Sequence, residues 1–329
     1  MNSTQAATAQ AVADPDLKIL PIERRLSKDL PYDVFLREYV VKNRPVIIEN
    51  AVPQWNALRV WTPEFFKSRF GTYTVDVTYG VKMNFVELID AVLASTTEKP
   101  GPYLHKVIIH QDMPELLPDM TPENIYGFPQ RYCSPLMPKH WQRPDGFLKL
   151  LIGGVGGKFP LMHFDVDNSN AMITEIYGDK EFVLFAPEDT PYVYPTPNPG
   201  SPTSAVDDLD HPDLNRFPLF PKATQYRGVI RPGDAAFVPS RWWHSARVVS
   251  TSISVCTNFV HRANWPGFVT EACDPANGRG LAGRLVKRTY LNMAGAAMQV
   301  VETLQQKFPN AGLSRRLSFL SPISRVGSN

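Results

Sequence analysis

The chain has 329 residues, 43% of them hydrophobic and 11% aromatic, with a formal net charge of +2. That length and apolar content suffice for one large all-β domain with appendages, or for two small domains, and the near balance of charge argues against a nucleic-acid binder, which concentrates basic surface. The three cysteines, Cys133, Cys256 and Cys273, are odd in number, far apart and without a CxxC pair, so neither a disulfide framework nor a structural zinc site is expected and a reducing, cytoplasmic setting fits.

Residues 1 to about 17 are rich in Ala, Thr, Gln and Asp and are expected to be a disordered tail. They lack the basic start and apolar run of a secretory signal, and no later stretch of about 18 apolar residues predicts a membrane span. In PYDVFLREYVVKN, Val34, Phe35, Tyr39 and Val40 recur like one helical face. RPVIIEN then predicts a short strand. Thr62-Pro63-Glu64 has the pattern of an N-cap followed by proline at the first helical position, with Gly71 as the stop. Asn84 and Glu87 have capping-box spacing before FVELIDAVLA. The first third is therefore read as helices with strands between them.

From about residue 148 short apolar or β-branched runs alternate with turn residues: FLKLLIGG, NAMITEIYG, KEFVLFAP, GDAAFVP, SARVVS and TSISVCTNFV. This texture predicts an antiparallel barrel or sandwich. Gly178-Asp179 and Pro232-Gly233-Asp234 mark turns. The proline-dense stretch from Pro187 to Pro221 reads as a long irregular insertion at the rim. After about residue 276 the pattern is helical again, with Leu281, Leu285, Ala296, Val300 and Leu304 spaced as one face and Arg279, Arg284, Lys287 and Arg288 near its start. The basic cluster is read as a solvated helix face.

One constellation carries chemistry. His163-Phe164-Asp165 places an imidazole and a carboxylate two residues apart, which in an extended segment puts them on one face. His244 lies in PGDAAFVPSRWWHSARVV, where one strand is expected to end at Pro239 and another to begin near Ser245. Two histidines and one carboxylate form the facial triad of non-heme iron oxygenases, which leaves open positions on the metal. HxD alone recurs by chance, and its place at a strand edge in the β-rich part is what singles it out. Trp242 and Trp243 are read as rim packing. His105, His110, His140, His211 and His261 show no ligand spacing.

The stretches GGVGGKFPLMHFD, IYGDKEFVLFAPED, YVYP, VDDLDHPDLNRFPLF, RPGDAAFVPSRWWH and SISVCTNF, with RPVIIENAV, Trp55, Trp61 and Phe70-Gly71 before them, resemble the JmjC fold of the cupin superfamily. The resemblance is to the cupin-8 group, which includes the asparaginyl hydroxylase acting on hypoxia-inducible factor, and it covers most of residues 35 to 262. It implies a mainly β domain with flanking helices: a double-stranded β-helix (jelly-roll) barrel over residues 18–265, with its core from about 148. A C-terminal helical segment, 266–329, would follow as a dimerisation element.

The same resemblance implies Fe(II) on His163, Asp165 and His244, and 2-oxoglutarate as cosubstrate. Lys180 would hold its far carboxylate, and a lysine pointing into an apolar barrel is costly unless an anion pairs with it. Tyr103, in GPYLHK, and Asn258, in TNF, match residues beside that cosubstrate and the iron. Asn170 is a further near-metal candidate, although the segment from Asp165 to Gly178 is two residues longer than in relatives. Some relatives carry an arginine about ten residues beyond the distal histidine, where this chain has Ser254. The family often has Thr or Ser three residues before the first histidine, where this chain has Pro160, which cannot donate a hydrogen bond.

The presence of Asp165 implies hydroxylation, or demethylation begun by hydroxylation, rather than halogenation. The leading expectation is thus a hydroxylase of a protein side chain or small molecule, coupling decarboxylation of 2-oxoglutarate to succinate with C–H oxidation. Two alternatives stay open: a metal-binding cupin-like protein without oxygenase activity, and a cupin enzyme using another metal without 2-oxoglutarate. Nucleic acid and membrane are not expected as partners.

Overall fold

The structure is a computed structural model and describes residues 17–77, 80–127, 131–142, 148–157, 161–196, 202–277 and 280–307. The expected tail, Pro160, Arg279 and everything after residue 307 lie outside the described residues. Among the described residues thirteen strands run in chain order: β1 (Lys18–Pro21), β2 (Arg24–Leu26), β3 (Val46–Glu49), β4 (Thr74–Asp76), β5 (Lys82–Asn84), β6 (Tyr103–Ile108), β7 (Leu148–Gly153), β8 (Asn170–Tyr177), β9 (Lys180–Phe185), β10 (Thr224–Ile230), β11 (Ala235–Val238), β12 (Trp243–Val248) and β13 (Ser252–Phe259). The helices are α1 (Tyr32–Phe35), α2 (Ala57–Val60), α3 (Pro63–Phe70), α4 (Phe85–Leu93), α5 (Ile109–Asp112), α6 (Trp265–Ala272) and α7 (Leu281–Lys307).

Two sheets face each other. The larger has the order β2-β3-β11-β8-β13-β7-β6 and the smaller β1-β10-β9-β12. Consecutive strands repeatedly land in opposite sheets: β8 is in the large one and β9 in the small one, and β10, β11, β12 and β13 alternate in the same way. This is the double-stranded β-helix that the family resemblance implies. The crossing from β8 to β9 is made at Gly178, where φ is +75° and an added Cβ would lie 1.9 Å from the Thr251 carbonyl oxygen, so only glycine fits.

The period of two decides which side chains meet. On β8, Met172 and Ile176 pack outward under the N-terminal helices, while Ala171 and Ile173 point between the sheets. On β9, Phe182 and Leu184 point inward, and Val183 and Phe185 pack outward beneath the insertion. The outer face of the large sheet is covered by helices whose starts are encoded locally. Thr62 Oγ1 accepts the Phe65 N–H at 3.1 Å to begin α3. Asn84 and Glu87 complete a capping box for α4, with bonds of 2.9 and 3.0 Å. Continuing from α1, Leu36–Val40 forms a π-type turn, with Tyr39 and Val40 buried.

Some expectations are corrected. His244 does not stand in a loop between strands, because β12 begins at Trp243. The strand β10 carries no clean alternation in sequence and has no counterpart among the expected runs. On α7 the face that packs is Leu291, Ala294, Met298 and Val301, whereas Leu281, Leu285, Ala296 and Val300 are exposed. The packed row meets Trp265, Phe268 and Val269 of α6.

Candidate metal centre

The mouth of the barrel is formed where the segment before β8 meets β12. His163 and His244 are paired as an antiparallel bridge, the His163 N–H donating to the His244 carbonyl at 3.0 Å and the His244 N–H to that of His163 at 2.7 Å. This pairing brings the two rings to a centroid distance of 4.3 Å. Asp165, two residues on, turns its carboxylate between them. Its Oδ1 lies 4.0 Å from His163 Nε2, and its Oδ2 lies 4.0 Å from His244 Nε2. One ligand atom from each of the three lies within 4.8 Å of the others, and no other such group exists among the described residues.

The remaining ring nitrogens fix the tautomer. His163 Nδ1 is 3.1 Å from the Leu161 carbonyl oxygen, and His244 Nδ1 is 3.0 Å from that of Trp242. A carbonyl can only accept, so each Nδ1 carries the hydrogen and each Nε2 keeps its lone pair toward the centre. Burial, helped by the adjacent His244 ring, pushes His163 down to about 4, so it is neutral at ordinary pH. Asp165 is oriented in turn. Asn258 Nδ2 donates to its Oδ2 at 2.9 Å, and Lys149 Nζ donates to Asn258 Oδ1 at 3.1 Å. Two unprotonated imidazole nitrogens and an anchored carboxylate suit a divalent iron ion.

Behind the triad runs a cavity of about 100 Å³, room for several water molecules or a short acid. Six strands line it with residues two apart: Tyr103 and His105 of β6, Lys149 and Leu151 of β7, Ala171 and Ile173 of β8, Lys180 and Phe182 of β9, His244 and Ala246 of β12, and Cys256 and Asn258 of β13. His163, Asp165 and His244 close one end. Lys180 is fully buried. Its Nζ donates to Ser254 Oγ and lies 5.7 Å from the centre of the Tyr103 ring. Among the predicted residues, His163, Asp165, His244, Lys180, Tyr103 and Asn258 therefore share one cavity. Asn170 does not line it. Its Oδ1 accepts the Ser240 N–H at 2.9 Å, which ties β8 to the loop before β12.

Sequence reasoning missed four contributors. Lys149 and His105 line the cavity, and Cys256 faces it with its thiol pushed up to about 12 by burial. The fourth is Glu175, completely buried one inward position below Ile173 on β8, with Oε2 3.7 Å from Lys180 Nζ. Lys180 thus has an anionic partner inside the protein, besides the carboxylate that the resemblance assigns to it. The period of two from Ala171 was the signal that could have found it. Trp242 and Trp243 are packing residues, donating to the Asn43 carbonyl and to Thr190 Oγ1.

A second cleft opens outward from the same metal-side residues. Tyr132, Trp141, Lys149, Asp165, Val166, Asp167, Ser169 and Asn258 line it. Asp165, Lys149 and Asn258 are common to both cavities, so Asp165 of the triad borders the inner chamber and the outer cleft alike.

Residues 31–264 match the family model described as a cupin-like domain, Cupin_8. The chain is 24% identical over 231 residues to lysine-specific demethylase 8 of Xenopus tropicalis, covering 67% of this chain and 49% of that protein. It is 27% identical over 245 residues to tRNA wybutosine-synthesizing protein 5 of Danio rerio, covering 69% and 72%. It is 34% identical over 144 residues to HSPB1-associated protein 1 of Homo sapiens, covering 43% and 26%. The chain spans about half the length of the demethylase and less of the HSPB1-associated protein. Since the matched span runs from the N-terminal helices through both sheets to the far side of β13, the chain belongs to the JmjC-like cupin family.

Proposed function

We propose that this protein is an Fe(II)- and 2-oxoglutarate-dependent oxygenase, most simply a hydroxylase of a protein side chain or a small molecule. The observation that carries this reading is one cavity with a two-histidine, one-carboxylate centre at its mouth and a buried lysine at its far end. His163, Asp165 and His244 would hold the iron, and Lys180 and Tyr103 the distal carboxylate of the cosubstrate. Bound there, iron and the keto acid supply the oxygen activation that amino-acid side chains cannot.

The chain's own part is positioning. The two backbone carbonyls keep both imidazoles in the metal-binding tautomer, and Asn258 fixes the angle of Asp165. The inner chamber excludes bulk water behind the metal. The substrate enters by the outer cleft, where Tyr132 and Trp141 offer apolar faces and Asp167 a polar edge. Two relatives are named as a lysine-specific demethylase and a tRNA wybutosine-synthesizing protein, and the aromatic cleft favours a side chain or small molecule here. We also propose a homodimer through the exposed apolar residues of α7, and a cytoplasmic location. Among the described residues no helix is long and apolar enough to cross a membrane.

The alternative, a metal-binding cupin-like protein without oxygenase activity, is favoured by one observation: Glu175 already accompanies Lys180. The test needs no substrate. Fe(II) is added anaerobically to the metal-free protein and 2-oxoglutarate is titrated while the visible charge-transfer band of a chelated keto acid is followed. A saturable band that weakens in Lys180→Ala and disappears in His163→Ala is expected. Iron binding with no band would favour the alternative.

A further inference from the structure

Below the inner chamber lies a wholly buried polar cluster of Glu175, Lys180, Ser252 and Ser254. Glu175 Oε1 accepts a hydrogen bond from Ser252 Oγ at 2.5 Å. Oε2 receives no hydrogen bond, although it is buried and 3.7 Å from the ammonium of Lys180. Lys180 is directed to Ser254 and Tyr103 and onward into the chamber. A carboxylate oxygen buried without a donor is expensive, and an ammonium with a carboxylate beside it has little attraction left for a second one.

We propose that Glu175 is a positioning residue that makes the capture of a distal carboxylate by Lys180 conditional on uptake of one proton. The inference rests on the cosubstrate reading above. With the chamber empty, ionised Glu175 neutralises Lys180 and holds it in place. When a dicarboxylate enters, one proton from solvent bonds to Glu175 Oε2, the oxygen that lacks a donor. Lys180 then pairs with the incoming carboxylate, which also offers the new O–H an acceptor. The cluster keeps a single net negative charge against a single ammonium before and after binding.

The groups facing Glu175 permit this. Burial raises its carboxyl to about 7, against the opposing pull of Lys180 and Ser252, with Asp179 at the turn after β8 adding to the rise. Lys180 of β9 stays charged, because Glu175 and Tyr103 outweigh the effect of burial. Tyr103 of β6 is raised by burial, and the thiol of Cys256 on β13 stands near 12. None of these three changes charge near neutrality. Asp234, in the turn before β11, meets Glu175 through its backbone carbonyl, which accepts the Glu175 N–H, while its carboxylate is held by Arg24.

The experiment is calorimetric titration of the Mn(II)-loaded full chain with 2-oxoglutarate between pH 6.5 and 8.5. Two buffers of different ionisation enthalpy read out the protons taken up. Where Glu175 is ionised in the free protein, the competent fraction falls tenfold per pH unit, so Kd should weaken by about tenfold from pH 7.5 to 8.5. Uptake should approach one proton per ligand. Glu175→Gln should remove both effects and bind more tightly than the unaltered protein at pH 8.5. The monocarboxylate 2-oxobutanoate, which has no distal group, should bind without proton uptake. That comparison, and the uptake itself, need no variant. Saturable binding with a flat profile and no uptake overturns the inference alone. An equal pH dependence in Glu175→Gln does the same, because the proton then goes elsewhere. No binding at any pH in either protein overturns the cosubstrate reading together with the inference.

Discussion

At the scale of single residues, the candidate centre depends on hydrogen bonds made by residues outside the triad. Asn258 links Lys149 to Asp165, and removing such a partner commonly lowers metal affinity 10- to 100-fold. Asn258→Ala is therefore expected to keep the fold and lose about that much affinity for Mn(II), read by competition with a chelator. His244→Ala removes a ligand and should abolish stoichiometric binding in the same assay. Glu175 also affects stability in the metal-free protein. Its folded carboxyl is raised from the ordinary value near 4.5 to about 7. Between those values the folded chain keeps a proton that the unfolded chain has lost, so stability falls as pH rises through this window. Urea unfolding at pH 5 and pH 7.5 should show a smaller loss in Glu175→Gln than in the unaltered protein; equal losses would assign the effect to other groups.

At the scale of elements, local signals were readable and buried polarity was not. The capping residues Thr62, Asn84 and Glu87 act at short range, and all three make the bonds their spacing predicts. Asn84→Ala should cost about 1 kcal/mol, measurable by denaturant unfolding. The strands of the barrel were legible by their alternation, yet β13 shows how alternation misleads. In SISVCTNF the apolar set, Ile253, Val255 and Phe259, packs outward under the helices. The polar set, Ser252, Ser254, Cys256 and Asn258, lines the interior, from Glu175 at the bottom to Asp165 at the mouth. A pattern that ordinarily marks a solvated face here marks the site. Glu175 was overlooked for the same reason, as one acid in a run of apolar residues with nothing local to identify its partner. The packed face of α7 was misassigned because small residues such as Ala294 and Gly295 decide it. At Gly295 an added Cβ would stand 2.2 Å from Trp265 Nε1.

At the scale of the whole molecule, α7 is joined to the barrel by more than apolar contact. Arg131 and Glu302 form a two-pronged ion pair, with both bonds 3.0 Å long and both side chains almost wholly buried. The guanidinium lies 4.9 Å from the Trp265 ring. Removing one member of such a pair leaves the other charge buried and costs about 3–5 kcal/mol. Glu302→Ala should show this in denaturant unfolding, with early loss of protection along α7 in hydrogen exchange. The outward side of the same helix presents Leu281, Leu285, Val286, Tyr290 and Met293, all exposed. If a second copy covers them, as proposed, Leu285→Asp with Met293→Asp should halve the mass measured by light scattering and leave metal binding unchanged.

The ion pair has a practical corollary for anyone trimming this protein. The family match ends at residue 264, which invites cloning the cupin-like part alone. Such a fragment would retain Arg131 as a stranded cation. It would also lose the supports behind Trp141, namely Phe268, 4.9 Å away, and Lys287 Nζ, 4.3 Å from its ring. The Trp141 wall of the outer cleft would thus be loosened by a cut made more than a hundred positions downstream of Trp141. The smallest fragment worth expressing extends past Glu302.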